Sequence, residues 1–436
     1  MSHLRSLSKG IGGVGAALLV LNGLIGAGIF ALPANMAAEL GAFSPYIFLL
    51  FGALMLTIVW CFGQLATLYQ ATGGPVVYAH NGFGDAAAFQ TGFIYYLARA
   101  TAIAANMHVL LLYAGYLWPE INQGAGKAIA IVILTSLLIT VNTIGLKAAM
   151  RSLDTLSVLK LLPFVVLIAM GCWQLNTPVT HTATIGSPLQ PMPSIDTISA
   201  GALITLYAFI GFETVVVTSG ETNTPKKTIP RALMLTVSGI AIFYFSVQWL
   251  YWQWVGDTKP DNAPLIALAD LILGKTGALI MTLTAVTSVA GNLLANMIST
   301  SRLTYSMAHE GLITGKLGKE TLGKVHPRYA TPYISIMILG IFAGVMALSG
   351  SFVWLAISSV LARLVVYAIC IVVLIKAQGQ LTTPVNVIKR CVPFIALAVC
   401  AWSISQSTTH AWLFLVGELA VGALLYLVLH NKKSAQ

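Results

Sequence analysis

Charge is what this chain has least of. Only 8% of its 436 residues are Asp, Glu, Lys or Arg, whereas 57% are hydrophobic. A water-soluble domain carries about 25% charged residues, so the composition excludes a soluble globular protein. Acids are scarcer than bases, at 13 against 23. No G-x-x-x-x-G-K-[ST] loop occurs, which removes a phosphate cradle for ATP-driven transport from this chain. The cysteines (Cys61, Cys172, Cys370, Cys391 and Cys400) show neither metal-ligand spacing nor an extracellular framework. They read as buried packing residues, and no cofactor is expected. His, acids and Cys form no cluster near one interface, which argues against an integral-membrane enzyme.

Apolar runs are what the chain has in abundance. About 20 residues suffice for one crossing. Twelve such runs are predicted, at roughly 12–34, 43–67, 86–117, 128–146, 155–175, 198–220, 232–255, 268–306, 332–348, 352–376, 388–406 and 410–430. The connections are short, so 1–436 reads as a single transmembrane domain. The main non-spanning candidate is the Pro/Thr/Ser-rich loop 176–197. The first run is too long for the apolar core of a leader peptide, so no cleavable signal is expected.

The net charge of +10 is a topology signal. With both termini in the cytoplasm, the inner side holds Arg5, Lys9, Lys147, Arg151, Lys226, Lys227, Arg231, Arg302, Lys316, Lys319, Lys324, Arg328, Lys376, Lys389, Arg390, Lys432 and Lys433. The outer side holds only Lys127, Lys259 and Lys275, beside the acids Glu120, Asp196, Asp257 and Asp261. That is the positive-inside pattern. It makes the lipid bilayer the expected partner, with no role for nucleic acid.

Within the first run, Gly23 to Pro33 reads GLIGAGIFALP. Each of Gly23, Gly26 and Gly28 costs a helix about 1 kcal/mol relative to alanine. A membrane helix breaks only where its freed backbone groups find protein, ions or substrate. A second flexible point, Gly211, sits at the middle of run six, in Tyr207-Ala208-Phe209-Ile210-Gly211-Phe212-Glu213. Breaks at matching places in two five-span halves point to an inverted repeat and a transporter. A break in span 1 offers backbone N–H groups of Ile25, Gly26, Ala27 and Gly28 to a carboxylate. A break in span 6 offers carbonyls near Tyr207, Ala208 and Phe209 to an ammonium. Phe209 and Tyr207 either close over the ligand as aromatic faces or pack helices. A channel, the rival class, needs a continuous pore with rings of selectivity residues.

Charges inside the spans are Arg99, Lys160, Glu213, Arg363 and Glu418. Each costs at least about 2.5–3.5 kcal/mol at bilayer depth and needs protein or water to face. Arg99 and Arg363 serve equally well as structural ion-pair partners, and Glu213 can pair with either.

Six blocks, in order, resemble the amino acid–polyamine–organocation transporters. They are IGAGIFALP, QLATLYQATGGPVVYAHNGFG, VNTIGLKAAMRSLDTLSVLKLLP, FIGFETVVVTSGETNTPKKTIPRA, SRLTYSMAHEGL and HPRYATPYISI. Gln64 stands where that family often has an acid. The resemblance implies an all-α integral membrane protein of twelve transmembrane helices. It further implies a LeuT-type 5+5 inverted repeat plus two C-terminal helices, with helices 1 and 6 broken at midplane. The repeats are expected at about 12–175 and 198–376, with the extra helices at about 388–430. A small-molecule amino acid is the expected cargo, bound at Ile25, Gly26, Ala27, Gly28, Tyr207, Ala208, Phe209 and Gly211. Amino-acid or polyamine exchange and export use the same scaffold.

Lys160 matches a lysine that many proton-dependent or exchanging members carry beside span 1. Desolvation disfavours a buried ammonium, so this amine is expected to load and release a proton as access alternates. The alternative is a fixed charge that pins span 5 to span 1. Glu213 is the second candidate for proton movement. A resemblance to arginine/agmatine exchangers places Arg99 on the pocket side of span 3, where those proteins have an uncharged residue. There it would repel cationic substrates and favour neutral or acidic ones. A neutral amino acid with proton coupling, in a bacterial inner membrane, is the expectation.

Overall fold

The computed structural model describes residues 11–145, 160–175, 193–257, 263–379 and 387–431. Arg5, Lys9, Lys147, Arg151, Lys259, Asp261, Lys432 and Lys433 lie outside them, as do residues 176–192 of the Pro/Thr/Ser-rich loop. So does most of the sequence block leading to the fifth span.

The described residues are helical, with a single isolated bridge between Ile11 and Thr222 and no strand. The first helices are α1 (Gly13–Leu24), α2 (Gly28–Leu40), α3 (Ser44–Leu68), α4 (Pro75–Phe83), α5 (Asp85–Ala114) and α6 (Gly124–Ile144). Next come α7 (Leu162–Leu175), α8 (Ile195–Tyr207), the single turn α9 (Thr214–Val217), α10 (Pro225–Trp254) and α11 (Pro264–His309). The chain ends with α12 (Tyr333–Ser349), α13 (Phe352–Gly379), α14 (Val387–Ser405) and α15 (Thr409–Asn431).

By length and composition, 7 described stretches are apolar enough to cross a membrane. Shorter apolar helices are α1, α7, α8 and α12. In the most apolar stretch of α6 only 17% of residues are buried, against 89% in that of α5. Side chains such as Ile129, Ile133 and Leu137 point outward from α6. Helix α5 is therefore the central post, packed by α11 and α13, while α10 lies along α3 and α1.

Several boundaries differ from the sequence reading. Helix α8 begins at Ile195, inside the stretch expected to be loop, because Ser194 Oγ caps it by accepting from Thr197 N at 3.2 Å. The eighth run starts earlier, at Pro264, and turns sharply at Gly274, whose φ of 66° and ψ of −165° leave the helical region. Two helices thus meet where one was expected, and glycine alone accepts that conformation readily. Cys391 is exposed and Cys172 half-buried, so the expectation of five buried cysteines fails at those positions.

Candidate functional site

The interruption between α1 and α2 is built from backbone groups met by distant side chains. Ile25 N still bonds Leu21 O, but Ile25 takes φ −82° and ψ 76°, and Gly26 N turns back to Leu24 O at 2.9 Å. The last carbonyls of a helix have no intrahelical donor. Here Tyr244 Oη donates to Leu24 O at 2.8 Å, and Lys160 Nζ donates to Ile25 O at 3.2 Å. Asn292 Nδ2 donates to Asn22 O at 3.0 Å. Lys160 Nζ also donates to Asn22 Oδ1 at 3.0 Å. A cation there complements the partial negative charge of a helix C-terminus. On the other side, α2 starts without a side-chain cap at Ala27, which leaves its first amides for another acceptor.

The second interruption follows Tyr207. Residues 208–213 turn before α9, with Gly211 at φ +109° and its N–H donated to Glu213 Oε2 at 2.9 Å. The two interruptions touch backbone to backbone. A Cβ on Gly23 would strike the Gly211 carbonyl oxygen, and a Cβ on Gly211 would strike the Gly23 carbonyl oxygen. A Cβ on Gly28 would lie 2.9 Å from Ala208 Cα.

A cavity of about 30 Å³ lies between them. That is room for about two waters, less than an amino acid needs. Gly26, Ala27, Gly28, Tyr207 and Gly211 line it, together with Asn106, Asn292 and Asn296. A hydrogen-bonded chain crosses its wall. Tyr207 Oη donates to Asn106 Oδ1 at 2.9 Å, and Asn106 Nδ2 donates to Asn292 Oδ1 at 2.7 Å. Asn296 Nδ2 donates to the same oxygen at 2.7 Å.

A sequence model described as amino acid permease matches residues 11–428. The chain belongs to the amino acid permease family. It is 24% identical to the methylthioribose transporter of Bacillus subtilis (strain 168), covering 99% of this chain and 96% of that protein. It is 28% identical to a serine/threonine exchanger of the same organism, over 76% of this chain and 75% of the relative. Its fold is similar to that of Mhp1, a nucleobase-cation-symport-1 family transporter solved in a closed conformation with bromovinylhydantoin bound. That similarity has a TM-score of 0.60 and 15% identity, over 99% of this chain and 95% of that one. The protein is therefore an integral membrane transporter and not an enzyme.

Three of the permease's sequence-predicted contacts do not line the cavity. The Ile25 side chain is buried, and its carbonyl is taken by Lys160. Ala208 backs onto Gly28. Phe209 packs edge-on against Tyr244, with centroids 5.6 Å apart. Glu213 is resolved between its two possible partners. Its Oε1 lies 3.0 Å from Arg363 Nε, both side chains being buried. Its Oε2 accepts from Tyr367 Oη at 3.0 Å. Arg363 Nη1 donates to Ser359 Oγ at 2.6 Å, and Arg363 reaches the cavity wall. Phe62, Phe212 and Tyr367 close round the pair with centroids 5.2–5.3 Å apart.

Arg99 lies outside this cavity. It borders a second one of about 40 Å³, and Thr214 belongs to both walls. Sequence reasoning missed Asn106, Asn292, Asn296 and Tyr244. A signal existed on α11, where Asn292, Asn296, Ser299 and Thr300 recur at the spacing of one helix face.

Proposed function

We propose that this permease is a secondary active transporter that moves a neutral amino acid by alternating access, with Lys160 carrying the coupling proton. The observation that carries the reading is the meeting of two opposed helix ends at one small polar cavity. The amides of Ala27 and Gly28, at the uncapped start of α2, suit a carboxylate at a positive helix end. The carbonyls closing α8 suit an ammonium, and Tyr207 offers a ring face beside them. The cargo's backbone thus needs no charged side chain. A cavity of about 30 Å³ has to widen before an amino acid enters, which is what alternating access supplies.

In this reading α1 with α2, and α8 with α9, are single crossings broken at midplane. They open two inverted repeats of five, followed by α14 and α15, for twelve crossings in all. Both termini are cytoplasmic, and the membrane is a bacterial inner membrane. Lys160 links the proton to the fold, because the end of α1 loses its cationic cap when the amine is neutral. Glu213 answers through Arg363 on α13. Arg99, on a cavity that shares Thr214 with the central one, disfavours cationic cargo.

Uptake of a panel of labelled amino acids into liposomes, with and without an imposed pH gradient, tests the reading. Saturable uptake of a neutral amino acid, raised by an inward proton gradient, is expected. Uptake that never saturates, or none for any amino acid, refutes it. Similarity to the serine/threonine exchanger favours exchange as a second reading. Uptake that appears only in vesicles preloaded with amino acid would select it.

A further inference from the structure

The ion pair with Glu213 leaves one corner of the Arg363 guanidinium unused. Arg363 Nε lies 3.0 Å from Glu213 Oε1, and Nη1 donates to Ser359 Oγ at 2.6 Å. Ser359 Oγ in turn donates to Ala98 O at 2.6 Å, which ties it to α5. A planar fork held at two nitrogens has little freedom to turn, so the direction of the third is fixed. That third nitrogen, Nη2, has no acceptor among the described residues. Arg363 is buried and lines the central cavity, and its Nε is fully enclosed whereas Nη2 is not. Nη2 is therefore the part of the guanidinium that opens on the cavity.

The side-chain oxygens of that wall are already engaged. The hydroxyl protons of Tyr207 and Thr214 go to Asn106 Oδ1 and Gly211 O. Asn292 Oδ1 accepts from both Asn106 and Asn296, and Asn296 Oδ1 accepts from Arg99. Asn106 Nδ2 gives one N–H to Asn292, and its other N–H has no acceptor among the described residues. The wall thus meets a cargo with spare N–H groups, of which the charged one on Arg363 is the strongest donor. The start of α2 suits the cargo's α-carboxylate, which leaves Nη2 for its side chain. Glu213 balances the guanidinium's charge, so an uncharged oxygen fits there better than a second carboxylate. An apolar side chain would bury the spare N–H groups unpaired, which is costly.

We propose that Arg363 is a specificity-determining residue of the central cavity, its Nη2 donating to an uncharged side-chain oxygen of the cargo, a hydroxyl or a carboxamide. The proposal rests on the reading of this cavity as an amino-acid site, and it narrows the cargo from neutral amino acids to those that carry such an oxygen.

The test compares amino acids of matched shape: threonine with valine, and asparagine with leucine and with aspartate. Each is titrated onto detergent-purified full-length protein and its binding read from thermal melting; inhibition of labelled serine uptake into liposomes gives a second ranking. Threonine should bind at least about tenfold more tightly than valine, and asparagine than leucine, because a site built to hydrogen-bond an oxygen rejects the analogue that lacks it. Aspartate should bind more weakly than asparagine. Arg363→Lys keeps a cation beside Glu213 but has a single nitrogen, so the threonine-to-valine ratio should collapse toward one. A purely structural role would weaken both members of each pair alike and leave the ratio unchanged. Equal binding of threonine and valine by wild type, tighter binding of aspartate than of asparagine, or an unchanged ratio in Arg363→Lys overturns the proposal and leaves the amino-acid site standing. Binding of none of these amino acids refutes the site itself, and the proposal with it. Should Arg363→Lys not fold, the double variant Glu213→Gln with Arg363→Met removes both charges together and should lose the same preference.

Discussion

Replacing Glu213 by Gln tests whether the central ion pair holds the core together. Glu213 and Arg363 are 3.0 Å apart and buried. At an effective dielectric of about 20, that separation corresponds to about 5.5 kcal/mol of attraction. Desolvation offsets most of it in the intact pair, but removing one partner strands the other charge, at a cost of about 3–5 kcal/mol. Glutamine is nearly isosteric and can still accept from Tyr367 or from Gly211 N, so the loss comes mainly from Arg363. A double-mutant cycle isolates it. Glu213→Gln and Arg363→Gln should each destabilise by about 3–5 kcal/mol, and the double variant by clearly less than their sum. Equilibrium unfolding of the purified protein in mixed micelles, followed by tryptophan fluorescence, gives all four corners of the cycle. A change below about 0.5 kcal/mol for Glu213→Gln would place the pair among dispensable surface-type contacts and refute the assignment.

Lys160→Ala removes the donors to Asn22 and Ile25 O, and should lower uptake while flattening its dependence on external pH; an unchanged pH profile rejects the proton role. Gly23→Ala puts a methyl against the Gly211 carbonyl. It should cost at least the about 1–3 kcal/mol of ordinary overpacking, read as loss of folded protein on size exclusion and of uptake. Tyr207→Phe deletes the bond to Asn106, worth about 0.5–1.5 kcal/mol, so transport affinity should weaken by up to about tenfold with the fold intact.

The interruptions were legible because glycine is costly in a helix. Gly23, Gly26, Gly28 and Gly211 announce themselves one at a time, and each lies at the cavity. What the sequence did not convey was direction. Consecutive residues in the turn after α8 face different ways, so Tyr207 meets the cavity while Ala208 and Phe209 face other helices. Partner choice was equally hidden. Arg99 and Arg363 are the same residue type in similar spans, and only the packing of α13 decides which one meets Glu213. The asparagine chain escaped notice because neutral amides carry no charge to flag them in an apolar helix. Their linkage, Asn106 to Asn292, joins residues far apart in the chain.

The bare contact between Gly23 and Gly211 has a mechanical consequence. Two elbows that share one pivot do not bend independently, so in the proposed alternating-access cycle a shift at one interruption would reach the other through this seam. The contact there is main chain against main chain, so no side-chain rotamer stands between the two.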